Sequence, residues 1–284
     1  MRLAVRWGLA ACALLAVSSR AGAAGEILAA AYQGDLAQVK AILDRNPAAI
    51  SERDEIGWTP LHYAADAGFT GVIELLLRYR AEINAKGNDG ITPLHLAAMG
   101  CRNAAVELLL ARGADPKAAS ASGLTPLHLA AEIGCTPAAT ALLAKGADPS
   151  AKNQDGNTPL HPAAGNNHRA LAELLIAKGA KADERNAAGM SPLHLAAAKN
   201  ARATAELLLD RGADPNARDH NRLTPLHYAA NYGSASVAEL LLQKGAEVNP
   251  LDAENHTPLW RAQARGHQPL VDLLAAKGGE AEVK

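Results

Sequence analysis

Aromatic side chains are scarce in this 284-residue chain: they make up 3%, with a single phenylalanine, Phe69. A compact globule of that length would fill its core with more large rings, so a thin architecture packed by Leu and Ala is expected instead. Charge of one sign is lacking too. Lys and Arg number 28 against 29 Asp and Glu, and no basic stripe runs along the chain, which argues against a nucleic-acid partner. A Gly-rich phosphate loop, a Gly-x-Ser-x-Gly elbow, a Cys-x-x-Cys pair and a His-Glu-x-x-His motif are all absent. The sequence therefore offers no nucleotide, hydrolase, thiol-redox or zinc-protease chemistry, and no enzyme or cofactor is expected.

Long apolar runs are missing except at the start. Arg2 and Arg6 precede the apolar stretch Trp7 to Val17, and Ala21-Gly22-Ala23 supplies small residues at a cleavage site. This is the layout of a secretory signal peptide over residues 1–23, cleaved near Ala23, and the run is well short of the roughly 20 residues that span a bilayer. The expected product is periplasmic or secreted and does not insert in a membrane. Its charge, without Arg2, Arg6 and Arg20, is −4. Leu9-Ala10-Ala11-Cys12 has the look of a bacterial lipobox, but that cysteine precedes most of the apolar run instead of following it. Cysteine is otherwise limited to Cys101 and Cys135. In an oxidising compartment they are either bridged or two thiols, and a bridge asks for Cα atoms about 4.4–6.8 Å apart where stacked elements sit about 8–10 Å apart.

What the chain has in abundance is periodicity. Thr-Pro-Leu-His starts at 59, 92, 125, 158 and 224, Ser-Pro-Leu-His at 191, and Thr-Pro-Leu-Trp at 257, so that one constant interval separates every start from the next. Such a period means one small unit stacked on copies of itself, since a single copy cannot bury its own apolar face. Within residues 57–90, Thr59 is placed to cap a helix that Pro60 opens, Leu61, Ala64 and Ala65 give an apolar stripe, and Gly68 ends it. A second helix is predicted over Thr70 to Tyr79 with Val72, Ile73, Leu75, Leu76 and Leu77. In another copy Thr136-Pro137 supplies a cap and first-turn proline for this helix. Glycine then closes it at 113, 146, 179, 212, 245 and 278, with Arg80 breaking the column. A polar, turn-rich hairpin follows.

Thr-Pro-Leu-His-x-Ala-Ala, the Leu-Leu-Leu helix and Gly-Ala-Asp-x-Asn-Ala, read at Gly212 to Ala217, resemble ankyrin repeats over about residues 25–280. The resemblance implies an all-α solenoid of paired antiparallel helices with projecting hairpin loops. About eight repeats are expected across 24–284: an N-terminal cap over 25–56, signature-bearing repeats over 57–256 and a C-terminal cap over 257–280. Departures from the pattern are local. Pro162 should remove one helical hydrogen bond, Arg222 and Asn255 replace a hairpin Gly, and Cys101, Asn167 and Asn200 replace the Gly between helices.

His62, His95, His128, His161, His194 and His227 suggest a metal or acid–base array, but each is the third helical residue of its own repeat. Neighbouring copies lie about 8–10 Å apart, whereas zinc ligands converge to about 2 Å from one ion. The expected role is a hydrogen bond to the capping Thr and the hairpin backbone. The Glu column at 74, 107, 173, 206 and 239 reads as a solvated or pairing face.

The resemblance also implies that a partner is bound by hairpin tips and the exposed end of each first helix, on a concave face. Carried over by register, the contact positions are Tyr32 and Gln33 in the cap, then Trp58, Asp66, Ile91, Met99, Leu124, Glu132, Ile133, Asn157, Met190, Lys199, Leu223, Asn231, Tyr232, His256 and Arg265. Ile91, Leu124 and Leu223 fit packing on the hairpin equally well, whereas Trp58, Met99, Ile133 and Tyr232 are favoured as binding residues. The expectation is a monomeric, non-enzymatic module of the cell envelope or extracellular space that protects, inhibits or scaffolds another protein and takes no small-molecule substrate. The alternative is a secreted effector acting on a host protein.

Overall fold

The computed structural model describes residues 25–282. Among them are sixteen α-helices in eight pairs and no strand, as the period requires. The chain clusters into two compact units: one runs to Ser122 and takes in Ala144–Gly146, the other is Gly123–Leu143 with Ala147–Lys284. In the first unit the leading helices of the pairs are α1 (Glu26–Gln33), α3 (Pro60–Ala67) and α5 (Pro93–Met99), and their partners are α2 (Leu36–Arg45), α4 (Thr70–Arg78) and α6 (Asn103–Ala111). The second unit leads with α7 (Pro126–Ile133), α9 (Leu160–Gly165), α11 (Pro192–Ala198), α13 (Pro225–Tyr232) and α15 (Pro258–Ala264). Their partners are α8 (Thr136–Ala144), α10 (Arg169–Ala177), α12 (Arg202–Asp210), α14 (Ala235–Gln243) and α16 (Gln268–Ala276). Within each unit first helices pack on first helices and second helices on second helices.

The signature builds the start of each first helix. Thr59, Thr92, Thr125, Ser191 and Thr224 accept at Oγ from the backbone N–H of the His three residues on, while that His accepts at Nδ1 from the cap residue's own N–H. Two amides that a helix end leaves orphaned are thereby satisfied. Because a backbone N–H can only donate, Nδ1 carries the lone pair and the proton sits on Nε2. That Nε2 donates to a carbonyl of the following hairpin: His62 to Ile91 (3.0 Å), His128 to Asn157 (2.9 Å), His161 to Met190 (3.2 Å), His194 to Leu223 (3.1 Å) and His227 to His256 (3.1 Å). Each imidazole thus ties its own helix start to the next repeat, in the neutral form. Pro162 has no N–H to return to the cap residue, where Tyr63, Leu96, Leu129 and Tyr228 each bond back, and α9 is six residues long.

Second helices supply the apolar mass. Val72, Ile73 and Leu76 of α4 are buried, as are Leu207 and Leu208 of α12 and Val237, Leu240 and Leu241 of α14. Each fully buried Leu contributes about 1.5–3 kcal/mol. Leu75 and Leu77 sit at the edge of that stripe, half-buried. Thr136 is the first residue of α8 and not its cap, so Pro137 takes the second helical position. The outer face is laced by ion pairs between neighbouring repeats: Glu74 with Arg112, Glu173 with Arg211, Glu206 with Arg169, Glu239 with Arg202 and Asp210 with Lys244. Four members of the Glu column therefore pair across repeats, while Glu107 is exposed to solvent.

Left-handed joints keep their backbone even where Gly is missing. Arg80, Cys101, Asn167, Asn200, Arg222 and Asn255 all hold positive φ, between 51° and 67°, so the register dictates the turn. Apart from Cys101 and the terminal Gly266, the joint after each first helix comes in two forms. Where Gly is present, a large side chain from the next repeat lies over it. A Cβ on Gly34 would stand 2.7 Å from Phe69, on Gly68 2.9 Å from Arg102, on Gly134 2.4 Å from His168, and on Gly233 2.9 Å from His267. Where Asn stands instead, the residue at that position of the next repeat is small, Ala201 or Ser234. The Asn side chain then caps the next second helix. Asn167 Oδ1 accepts from Thr204 N (3.1 Å) and Asn200 Oδ1 from Val237 N (3.3 Å).

Candidate protein-binding surface

Four of the hairpins are shaped by one side chain each. Asp54 accepts from the N–H groups of Ile56 and Trp58, Asn186 from Ala188 and Met190, Asp219 from Asn221 and Leu223, and Asp252 from Glu254 and His256. These are Asx turns that fold the loop locally. The acid form occurs where the residue after the signature His, or after Trp260, is a donor: Tyr63 bonds Asp54, Tyr228 bonds Asp219 and Arg261 pairs with Asp252. Where that residue is Pro162 or Leu195, the hairpin carries the amide, Asn153 or Asn186. Burial works against the Asp252 carboxylate, but the hairpin amides and the Arg261 guanidinium hold it below the usual range. Three hairpins are accordingly pinned to their own helix.

Gly87 occupies this position in the hairpin after α4 because the Trp58 ring lies against it, 2.9 Å from where a Cβ would be. Trp58 is 3% exposed, stacked on His62 (6.1 Å, 10°) and edge-on to Tyr63 (5.5 Å, 68°). It is a core residue, which corrects the expectation of a binding anchor. Ile91 is likewise 3% exposed and packs, the second of the roles open to it. Leu124, Asn157, Met190, Leu223 and His256 are half-buried beside their hairpins. Asn157 accepts from Asn186, Met190 faces the Tyr228 hydroxyl, and His256 stacks on Trp260 at 3.5 Å.

The far end of the first helices is different. In the second unit the eighth residue after each capping Thr or Ser is exposed in every pair, giving the column Ile133, Asn166, Lys199, Tyr232 and Arg265. Ile133 is 50% and Tyr232 63% exposed, large side chains that the fold leaves in water. Glu132 is exposed beside Ile133, and Asn231 is half-buried beside Tyr232. Asn166 completes the column although the register argument passed over it; its place eight residues after Thr158 was the available signal. In the first unit, Gln33 is exposed, Tyr32 and Met99 are half-buried, and Tyr32 meets Tyr63 edge-on at 6.1 Å. Asp66 is half-buried, with burial raising its carboxyl and its carbonyl accepting from Arg102.

A family model described as ankyrin repeats, in three copies, matches residues 27–120, 85–153, 127–219 and 193–284. The chain belongs to the ankyrin-repeat family. No curated protein sequence matches it. Ankyrin repeats are protein–protein interaction modules, typically scaffolds without catalysis. In this ankyrin array the signature histidines are buried and used by the fold: burial pushes His62, His161, His194 and His227 down to about 4. Cys101 and Cys135 are each disulfide-bonded. Residues 1–23, with Cys12, lie outside the described residues, and among those described no helix is long and apolar enough to cross a membrane.

Proposed function

We propose that this ankyrin array is an exported, monomeric module of the bacterial envelope or extracellular space. It holds a partner polypeptide with the exposed ends of its first helices and its hairpin tips, and so protects, inhibits or scaffolds that partner without chemistry of its own. The observation that carries the reading is the exposed column Ile133, Asn166, Lys199, Tyr232 and Arg265. Nothing in the stacking requires Ile or Tyr there, and large apolar groups left in water are what interfaces recruit. A preformed surface of this kind loses little freedom on binding. The disulfide-bonded Cys101 and Cys135 fit an oxidising compartment.

The test is affinity capture from an envelope fraction with wild type and with Ile133→Ser/Tyr232→Ala. Capture should be lost while the melting temperature stays put, because neither side chain is buried. Unchanged capture would move the binding surface elsewhere. Fractionation that finds the protein in the cytoplasm would remove the export half of the reading.

A further inference from the structure

We propose that the ledge around Tyr232 takes a short acidic polypeptide segment, an inference that rests on the partner-binding reading above and narrows it to one chemistry. Lys199, Tyr232 and Arg265 occupy the same position in three successive pairs of the second unit, and successive helices lie about 8–10 Å apart. Tyr232, the most exposed large apolar side chain among the described residues, thus has a cation on either side. Among the described residues, neither Lys199 nor Arg265 enters an ion pair, while the cations of the outer face do: Arg169, Arg202, Arg211 and Lys244 each meet a carboxylate of a neighbouring repeat.

The imbalance extends to the surroundings. The first-helix stretches Pro162–Asn166, Leu195–Lys199, Tyr228–Tyr232 and Arg261–Arg265 contain no acid at all. Arg261 is neutralised by Asp252, so the two unpaired cations set the sign of the ledge. The nearest exposed first-helix carboxylate in this unit, Glu132, lies beyond it, next to Ile133. A segment seated here has Asp or Glu facing Lys199 and Arg265 and an apolar residue against the Tyr232 ring. Such a surface speeds encounter with acidic partners, rejects basic ones and weakens with salt.

The experiment selects binders from a randomised peptide display library on the full chain, on Lys199→Glu/Arg265→Glu and on Tyr232→Ala. Peptides enriched on wild type should be rich in Asp and Glu beside an apolar residue. Their affinity should fall about tenfold or more on the charge-reversed protein, where basic sequences should be enriched in their place. Tyr232→Ala should lose the enrichment of either kind. A neutral or basic wild-type consensus, the same consensus on the reversed protein, or equal competition by a single-stranded oligonucleotide would overturn the proposal. If no peptide is enriched but partner capture still depends on Ile133 and Tyr232, this inference alone fails. If capture is independent of them as well, the functional reading fails with it.

Discussion

At the N-terminal end of the first helices, Thr or Ser, Pro, Leu and His recur almost unchanged, buried, with both ring nitrogens of each His engaged where the bonds are seen. Eight residues on, Ile133, Asn166, Lys199, Tyr232 and Arg265 share nothing but their position. One end is a closed network in which every member satisfies a partner in its own helix or the next hairpin. Removing the Thr, Ser or His side chain leaves a buried polar group bare. The other end touches solvent, so its residue is free to be chosen for something outside the fold. Between the two lies the joint, where chemistry varies but only in matched pairs.

Breaking the closed end should have the largest effect. His194→Ala removes the bonds to Ser191 and to the Leu223 carbonyl and leaves a small cavity, for a loss of about 3 kcal/mol by urea denaturation. Acid should do the same to all copies together. The imidazoles of His62, His161, His194 and His227 sit near 4 in the folded state, against about 6.5 in an unfolded chain. The unfolded state binds more protons between those values. Stability is therefore complete above about pH 6.5 and declines as pH falls toward 4, by about 1.4 kcal/mol per pH unit for each such His. Burial is the main cause, and the geometry agrees with it: a proton on Nδ1 would face the donating N–H of its own cap residue. Unfolding followed against pH should begin in this window; a flat profile down to pH 4 would show that the ring tolerates charge.

Exchanging one joint for the other comes next in size. Gly134→Asn pushes a Cβ into the His168 ring and should cost about 2–3 kcal/mol. Adding His168→Ala recreates the pairing of Asn167 with Ala201 and lets the new amide cap α10, so the double variant should recover most of the loss, leaving a deficit under about 1 kcal/mol. Additive losses in the double-mutant cycle would mean that the match of small and large is coincidental.

This contrast also explains which features were legible in the sequence. The helix pairs, the caps of the first helices, the role of the histidines and the left-handed turns at Arg80, Cys101, Asn167, Asn200, Arg222 and Asn255 all follow from register, because similar neighbours impose the same backbone. Trp58 was misjudged since its burial depends on Gly87 in the hairpin beyond the second helix, and neither helix period nor capping connects those two positions. The pairing of Gly134 with His168 likewise joins one repeat to the next and becomes visible only when the copies are stacked. Ile133 and Tyr232 are exposed at the places the register gives them, and Asn166 holds the equivalent place eight residues after Thr158, where the same count would have found it.

The smallest effect is a gain. Between hairpin and next repeat, Asn216 accepts at Oδ1 from Glu247 N (2.8 Å) and donates at Nδ2 to Gly245 O (3.2 Å). Asn249 does likewise with Glu280 N (2.8 Å) and Gly278 O (3.0 Å). Asp183 holds the same place one repeat before Asn216 but has no amide to donate, and its Oδ1 is buried without a partner. Burial first, and then the neighbouring Asp214, raise its carboxyl, while Arg185 opposes them. Asp183→Asn supplies the missing donor to the following repeat and removes a poorly solvated charge, which should add about 1 kcal/mol and about 2–4 °C to the melting temperature at pH 7. Because the raised carboxyl of the wild type regains a donor on protonation, the advantage of Asn should shrink as pH is lowered into the carboxylate range. Melting curves of the two proteins that coincide at neutral pH would show that water already satisfies Asp183, and that this position, unlike the histidine end, is not closed.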